Sequence, residues 1–321
     1  MPLFTQGQAI IIGAGGDLPD TVADAEGLAD LLRDPQRCAY PPAQVHLLTG
    51  PQAGRAQIVA RLEALAQVAT PASTLIFYFS GHGYQAQTAI GRAYFLLPFG
   101  YALSKLLQTA ISGQEFADRL SAIPAQKKLI LLDCCHAGGF ENHKAPGVLL
   151  TKAPLPDEAV VRLAQGRGTV FIASSQANEV SLAGKPYSAF TLALLEALAG
   201  KGNARQDGYV RVADMALHAR QMVPRRTHER QHPILNFEQA DNFEVAYYAA
   251  GQSQPKGLPF RVDEASFDRP AGAQPAGGTH IEVGSGAAAV GDRNIVLGER
   301  AVYVGGRVGG NVSTGDNTDQ T

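Results

Sequence analysis

The sequence predicts an α/β protein in which helices flank both faces of a mostly parallel central sheet. Three observations lead to this fold class. Several apolar runs are continuous rather than alternating, as in strands that are buried on both faces. Stretches with helical spacing of apolar residues lie between these runs, and the two kinds of segment alternate up to about residue 250. Strand and helix in alternation imply right-handed crossovers, and because the strands run parallel their carboxyl ends share one rim, where ligands bind in such sheets.

The individual elements follow from the same patterns. The predicted strands are residues 8–12, 45–49, 74–80, 128–133 and 169–174. The helices are predicted where apolar side chains recur every three or four residues. They are TVADAEGLADLLRD, RAQIVARLEALAQV and residues 113–121, 188–199 and 211–220.

Composition excludes several classes of function. The chain has 321 residues, of which 45% are hydrophobic and 17% charged, so it can form one large core or two smaller ones. A net charge of -2 gives no electrostatic reason to expect a nucleic acid or an anionic membrane as a partner. No apolar run approaches the ~20 residues of a membrane helix, and the N-terminal segment lacks the pattern of a secretion signal. Three cysteines suit a reducing compartment, so we expect a cytoplasmic location.

Polar segments follow three of the predicted strands. SGHG begins at Ser80, DCCHAGG begins at Asp133, and SSQANE begins at Ser174. If the strands are parallel, all three segments lie at the same rim of the sheet. The sequence therefore predicts a functional site at this rim.

The two adjacent cysteines cannot both address that site. Successive side chains of a strand point to opposite faces, so either Cys134 or Cys135 is buried packing. A histidine beside the other cysteine provides the equipment for thiolate chemistry, because imidazole takes the thiol proton and later protonates the leaving amine. Gly83 lacks the Cβ that would block a substrate backbone, and its N–H together with that of Cys135 is suited to stabilise an oxyanion.

The SGHG and DCCHAG motifs resemble those of caspase-like cysteine peptidases, most closely the metacaspases and their bacterial relatives. The resemblance covers roughly residues 5 to 250, and His82 precedes Cys135 by about the 50 residues noted for caspases. It implies a caspase-type peptidase domain at 1–250, with Cys135 as nucleophile and His82 as base. Cys134 falls where metacaspases commonly carry a serine. His136 is carried away from Cys135 by the chain direction, so a structural role is expected for it.

The resemblance also implies cleavage after arginine or lysine through an acidic pocket. Its carboxylates would be Asp24 and Asp133, which together favour a guanidinium or an ammonium and repel an acidic side chain. Ala23 replaces the asparagine usual before Asp24, so a charge in the first turn of a helix is an alternative for Asp24, and a strand-end cap is one for Asp133. Ser174 and Ser175 match a serine-rich stretch of the family and would line the pocket, or they form an ordinary turn.

The segment 141–168 is where the sequence predicts regulation by cleavage of the chain. It contains Lys144, Lys152, Arg162 and Arg167. The peptidase's own pocket would accept these residues, so the segment is a candidate for autoprocessing of a zymogen; the alternative is a surface loop that is never cut. Many metacaspases are activated by calcium, but the sequence shows no dense acidic cluster with the oxygen ligands that Ca²⁺ needs. We therefore expect no metal and no cofactor.

The last seventy residues differ in composition. Residues 251–280 are rich in Gln, Pro, Gly and Ala and are predicted to be a linker with a brief ordered piece at LPFRVDEASF. In the tail, 281–321, the pairs VG, VG, LG and VG recur every seven residues from position 283. A glycine in every repeat opposes a coiled coil and favours short strands in a small β-solenoid or stacked hairpins. The alternative is a disordered tail; an ordered one would associate with itself or with a partner protein.

The sequence thus predicts a cysteine endopeptidase that cleaves proteins after a basic residue in a bacterial defence, signalling or cell-death pathway. The alternative is a catalytically silent caspase-like scaffold that recruits partners through the tail. A dinucleotide site at IIIGAGGDL is disfavoured because Leu18 replaces the third glycine of that motif. A zinc site is disfavoured because the side chains of adjacent strand residues do not converge.

Overall fold

The computed structural model describes residues 2–88, 91–134, 144–145, 148–152, 168–176, 179, 181–237 and 240–267, and the strands between 280 and 304. The chain forms two compact units, Met1–Asp268 and Arg269–Thr321.

The first unit is built on a mostly parallel sheet, as the continuous apolar runs predict. Its strands, from one edge to the other, are β2 (Val45–Thr49), β1 (Gly7–Gly13), β3 (Thr74–Thr88), β6 (Lys127–Cys134), β9 (Thr169–Ala173) and β11 (Ile234–Asn236). Neighbouring strands are parallel except β11, which runs antiparallel to β9. The carboxyl ends of β1, β3, β6 and β9 therefore meet at one rim.

Helices cover both faces of this sheet and bury a separate hydrophobic core on each. The helices are α1 (Asp20–Arg33), α2 (Arg55–Val68), α3 (Leu106–Thr109), α4 (Gly113–Ala122), α5 (Ala189–Leu198) and α6 (Val212–Arg226). Apolar side chains of α1, α5 and α6 pack on one face in the first core, and those of α2 and α4 pack on the other face in the second core. The predicted caspase-type α/β architecture is confirmed.

One strand is longer than the sequence predicts. A strand over 74–80 is expected, but β3 continues to Thr88. Its parallel pairing ends at Ser80 with β1 and at Gly81 with β6, and beyond that point it pairs antiparallel with β4 (Gly91–Leu97) and β8 (Val148–Lys152). The prediction failed because the polar and glycine residues after Ser80 lack the apolar signal of the buried part. His82 thus lies inside a strand, where that strand leaves the parallel sheet.

Short strands complete the first unit. The strand β5 (Ile111–Ser112) pairs with β4, and β7 (Lys144–Ala145) pairs with β8. The strand β10 (Tyr209–Arg211) pairs with β12 (Glu244–Tyr247). None was predicted, since each is too short to show a period.

The segment 251–267, here called the C-terminal strap, packs against the first unit. Phe267 is 5% exposed within the first core, and Glu264 forms an ion pair with Arg226 of α6. Arg37, which follows α1, donates from Nε to the carbonyl oxygen of Gly257 at 2.7 Å. The stretch LPFRVDEASF, where the sequence predicts an ordered piece within the linker, lies in this strap, and the compact unit extends through Asp268.

The described part of the second unit consists of two antiparallel hairpins. They pair β13 (His280–Val283) with β14 (Ala287–Val290), and β15 (Asn294–Leu297) with β16 (Ala301–Val304). Each strand ends at the residue that precedes the glycine of the repeat. The period of seven is therefore one four-residue strand plus the three residues that follow it.

Candidate active site

His82 lies at the rim and contacts a carboxylate that the sequence analysis did not identify. His82 is 3% exposed as a whole residue, and its Nε2 lies 2.7 Å from Oδ2 of Asp17. The rings of Tyr84 and Tyr101 meet the imidazole edge-on, with centroids 6.2 and 6.0 Å away. The imidazole is therefore enclosed and held by a carboxylate.

Asp17 belongs to a turn that follows β1. Gly15 and Gly16 have φ angles of +66° and +70°, which side chains with a Cβ rarely adopt. The amide of Gly15 donates to Oγ1 of Thr21 at 2.9 Å, and this hydroxyl donates to the carbonyl oxygen of Leu18 at 2.7 Å. The paired glycines after a buried strand predict a turn, but nothing in the sequence predicts that it reaches His82.

Cys134 and Gly83 both face the second core. Cys134 is 6% exposed and packs there, so its side chain lies on the face opposite that of Asp133. A Cβ on Gly83 would lie 1.9 Å from Oη of Tyr94 and 3.2 Å from Cβ of Cys134. The expectation that Gly83 makes room for a substrate backbone is therefore wrong, because its missing Cβ makes room for Tyr94. Cys135 and His136 lie outside the described residues.

The structure brings the two predicted pocket carboxylates together. Asp24 of α1 and Asp133 of β6 are completely buried and are bridged by Ser188. Its amide donates to Oδ1 of Asp24 at 2.8 Å, and its hydroxyl donates to Oδ2 of Asp133 at 2.7 Å. Ser181 donates a second hydroxyl to Asp133. Neither serine was predicted, since both are distant in sequence from the residues that they contact.

This pair of carboxylates has no cationic partner among the residues that the structure describes. Burial raises the pKa of Asp24, and the charge of Asp133 raises this pKa further. Within the described ranges, Oδ2 of Asp24 has no hydrogen-bond partner, and the contacts to the two carboxylates come from serines rather than from a lysine or arginine. The site therefore favours a positively charged ligand.

Ser174 lies beside Asp133, and Ser175 follows it in the chain. Ser80, Asp133 and Ser174 occupy neighbouring positions on β3, on β6 and after β9, because Ser80 is in register with Asp133 and the amide of Ser174 donates to the carbonyl oxygen of Leu132. The hydroxyls of Ser174 and Ser175 are buried without a hydrogen-bond partner among the residues described. The predicted pocket residues thus form one polar cluster at the rim.

The segment 181–188, here called the pocket loop, is held from two sides. Gln231 accepts from the amide of Leu182 at 2.9 Å and donates to the carbonyl oxygen of Ser174 at 2.8 Å. Ser266 of the strap donates to the carbonyl oxygen of Lys185 at 3.1 Å. The position of Ser188 between the carboxylates therefore depends on contacts from beyond the sheet.

Residues 6–244 of the chain match the caspase domain family. The chain belongs to the caspase domain family. No curated protein matches the sequence. A crystal structure of a protein from Geobacter sulfurreducens is similar at 17% identity and a TM-score of 0.47, over 73% of this chain and 93% of that one. Family membership supports a function of the cysteine-peptidase type.

No group of three or more His, Cys, Asp or Glu side chains in the described part of the chain is placed to hold a metal ion. None of the helices there is long and apolar enough to cross a membrane.

Proposed function

We propose that this caspase-domain protein is a cysteine endopeptidase that hydrolyses protein substrates after arginine or lysine. The observation that carries the proposal is the buried pair of Asp24 and Asp133 at the rim that also holds His82. Two uncompensated carboxylates are costly to bury, and such an arrangement persists where a ligand supplies the missing charge.

The chemistry of the pocket favours a guanidinium or an ammonium. A guanidinium has five N–H donors, and Asp24 Oδ2 and the hydroxyl oxygens of Ser174 and Ser175 are acceptors without donors among the described residues. Charge-assisted bonds of this kind are about twice as strong as neutral ones. An acidic side chain in the same place would meet two like charges.

The reaction follows from the predicted roles of Cys135 and His82. His82 takes the thiol proton of Cys135, and the sulfur attacks the carbonyl carbon of the basic residue. The N–H groups of Gly83 and Cys135 bind the resulting oxyanion. Collapse breaks the peptide bond, and His82 protonates the leaving amine. Water, deprotonated by His82, then hydrolyses the thioester and releases the new carboxyl terminus and the thiol.

Family resemblance and the chain's organisation support the biological context. We propose a zymogen that cuts itself between residues 141 and 168 and acts on a partner protein in a bacterial defence or cell-death pathway. The repeat tail would recruit that partner or a second copy of the chain.

The test measures cleavage of fluorogenic peptides that end in Arg, Lys, Asp or Leu, with and without calcium. Wild type is compared with Cys135→Ala, with Cys134→Ala, and with Asp24→Asn. We expect turnover of the Arg and Lys peptides that is lost in Cys135→Ala, retained in Cys134→Ala and strongly reduced in Asp24→Asn.

Turnover after Asp or Leu would refute the specificity for basic residues but would still support a peptidase activity. Turnover that survives in Cys135→Ala would refute the assigned nucleophile. A chain that cuts no peptide under any condition, and shows no cut within 141–168 by mass spectrometry, would favour the silent scaffold.

A further inference from the structure

We propose that Asp17 positions His82 by accepting its Nε2–H, so that Nδ1 is the nitrogen that exchanges a proton with the nucleophile. The inference rests on the proposed cysteine-peptidase function and adds a third residue to its Cys135 and His82 pair. Asp17 acts through His82 and does not touch the substrate, so it is a positioning residue.

The first argument is the geometry of the contact. Oδ2 of Asp17 and Nε2 of His82 are 2.7 Å apart, which is the length of a charge-assisted hydrogen bond. The imidazole side chain is 4% exposed, whereas the carboxylate is 38% exposed. An ionised carboxylate only accepts, so the proton lies on Nε2 and the neutral ring is basic at Nδ1. The contact therefore selects one tautomer of His82.

The second argument is that the backbone carrying Asp17 is fixed to the strand that carries His82. The amide of Ala14 donates to the carbonyl oxygen of Ser80 at 2.9 Å, two residues before His82 on β3. The turn that follows is closed by Thr21, which is completely buried. Asp17 thus reaches the ring from a built turn rather than from a loose surface loop.

The third argument concerns the other groups that face the ring. Burial raises the pKa of Tyr84, and it raises the pKa of Tyr101 to about 12, with the charge of Asp17 adding to both shifts. Both phenols are therefore neutral at physiological pH and enclose the ring without charging it. Of these three groups, Asp17 is the one that supplies charge.

The chemical consequence is a more stable imidazolium. When Nδ1 takes the thiol proton of Cys135, the ring becomes positive and Asp17 stabilises that charge. The stabilised imidazolium in turn favours the thiolate, which is the nucleophile. Without the carboxylate, the pKa of the imidazolium falls, and the thiolate–imidazolium pair persists over a narrower range of pH.

The experiment compares wild type with Asp17→Asn, Asp17→Glu and Asp20→Asn. Asp20 begins α1 and is a matched control, because it is an exposed acid of the same segment and its side chain has no described hydrogen bond to His82. Three quantities are measured against pH: kcat and KM on an Arg-ended peptide, and the rate at which iodoacetamide alkylates Cys135, with Cys135→Ala as the blank.

In Asp17→Asn we expect kcat to fall about 10- to 100-fold while KM stays within about twofold, as for other residues that orient a functional histidine. The basic limb of the pH profile should move down by about one unit. Alkylation near neutral pH should slow in parallel. Asp17→Glu should restore part of each quantity, and Asp20→Asn should behave as wild type.

An unchanged kcat, pH profile and alkylation rate in Asp17→Asn would overturn the inference. A higher kcat in this variant would also overturn it, since Asp17 would then lower the activity. If no variant cuts the peptide, the alkylation rates alone show whether Asp17 positions His82. Slower alkylation in Asp17→Asn alone would support Asp17 and count against the proposed peptidase specificity, whereas equal rates in all variants would overturn the role of Asp17. If Asp17→Asn melts at a lower temperature than wild type, Asp17→Ser replaces it in the same comparison.

Discussion

Asp24 is a residue whose charge destabilises the ligand-free protein. Its carboxylate is completely buried beside that of Asp133, and its pKa is raised by burial first and by Asp133 second. A raised pKa means that the folded protein holds the proton more tightly than the unfolded chain does. The free energy of unfolding therefore decreases as pH rises from about 4, the ordinary carboxyl pKa, towards the raised value.

The variant Asp24→Asn tests this account through stability. Its amide oxygen still accepts from Ser188, while the charge that opposes Asp133 is gone, so we expect a higher melting temperature than wild type at neutral pH. An increase of about 2 °C or more corresponds to roughly 1 kcal/mol in a domain of this size. The difference should shrink at pH 4, where Asp24 is protonated in wild type. Thermal unfolding at both values of pH is the measurement, and equal melting temperatures at neutral pH would contradict the prediction.

At the scale of one element, α5 carries the pocket through its first residues. Ser188 is the N-cap of this helix, and its hydroxyl accepts from the amide of Thr191 at 3.0 Å. The same hydroxyl donates to Asp133. One side chain thus both caps a helix and orients a pocket carboxylate.

Replacement of Ser188 by alanine should separate these two roles when it is compared with Ser112→Ala. Ser112 caps α4 by accepting from the amide of Glu115 at 3.1 Å and belongs to the opposite face of the sheet. Each variant should lose about 1 kcal/mol of stability from its cap. Only Ser188→Ala should also lower kcat/KM on the Arg-ended peptide, since it alone removes a donor from Asp133. Equal kcat/KM in the two variants, measured beside urea denaturation, would contradict the role in the pocket.

The elements that could be predicted from sequence are those with a strong local pattern. The continuous apolar runs predict β1, β2, β6 and β9, and the helical spacing predicts α1 and α2. The extension of β3 could not be predicted, because its partners β4 and β8 supply the stabilising pairs and its own residues show no apolar run.

In the site, too, the residues with a local sequence pattern could be predicted and the others could not. Asp24 and Asp133 were found through motifs, whereas Ser181 and Ser188 were not. A serine before the apolar run AFTLALLEAL does predict an N-cap at Ser188. Its contact with Asp133 depends on tertiary packing across 55 residues of chain and leaves no local pattern.

At the scale of the whole molecule, the C-terminal strap contacts both the last residue of α6, Arg226, and the pocket loop. Phe267 packs in the first core beneath the guanidinium of Arg226, and Gly184 has no Cβ because one would lie 2.1 Å from the ring of Phe267. Phe260 packs against Tyr187 with ring centroids 5.2 Å apart and the ring planes tilted by 58°. The strap therefore contributes to the stability of the first unit and to the position of the pocket loop.

Phe267→Ala should thus destabilise the full chain by about 3 to 5 kcal/mol, the usual cost of removing a buried ring. Phe99→Ala is the matched control, because Phe99 is 36% exposed and its loss should cost about 1 kcal/mol or less. Urea denaturation measures both. A loss in Phe267→Ala no larger than that in Phe99→Ala would show that the strap is a passive linker.

The repeat tail has a consequence for how its length can change. Since seven residues correspond to one strand, and the described strands pair two by two, a duplication of fourteen residues adds a complete hairpin, while a duplication of seven adds a strand without a partner in its own hairpin. Such a strand presents both of its edges as templates for another chain. Tails of even and odd strand number therefore differ in kind: with an even number each strand has a partner within one hairpin, and with an odd number one strand is left over and favours assembly between molecules.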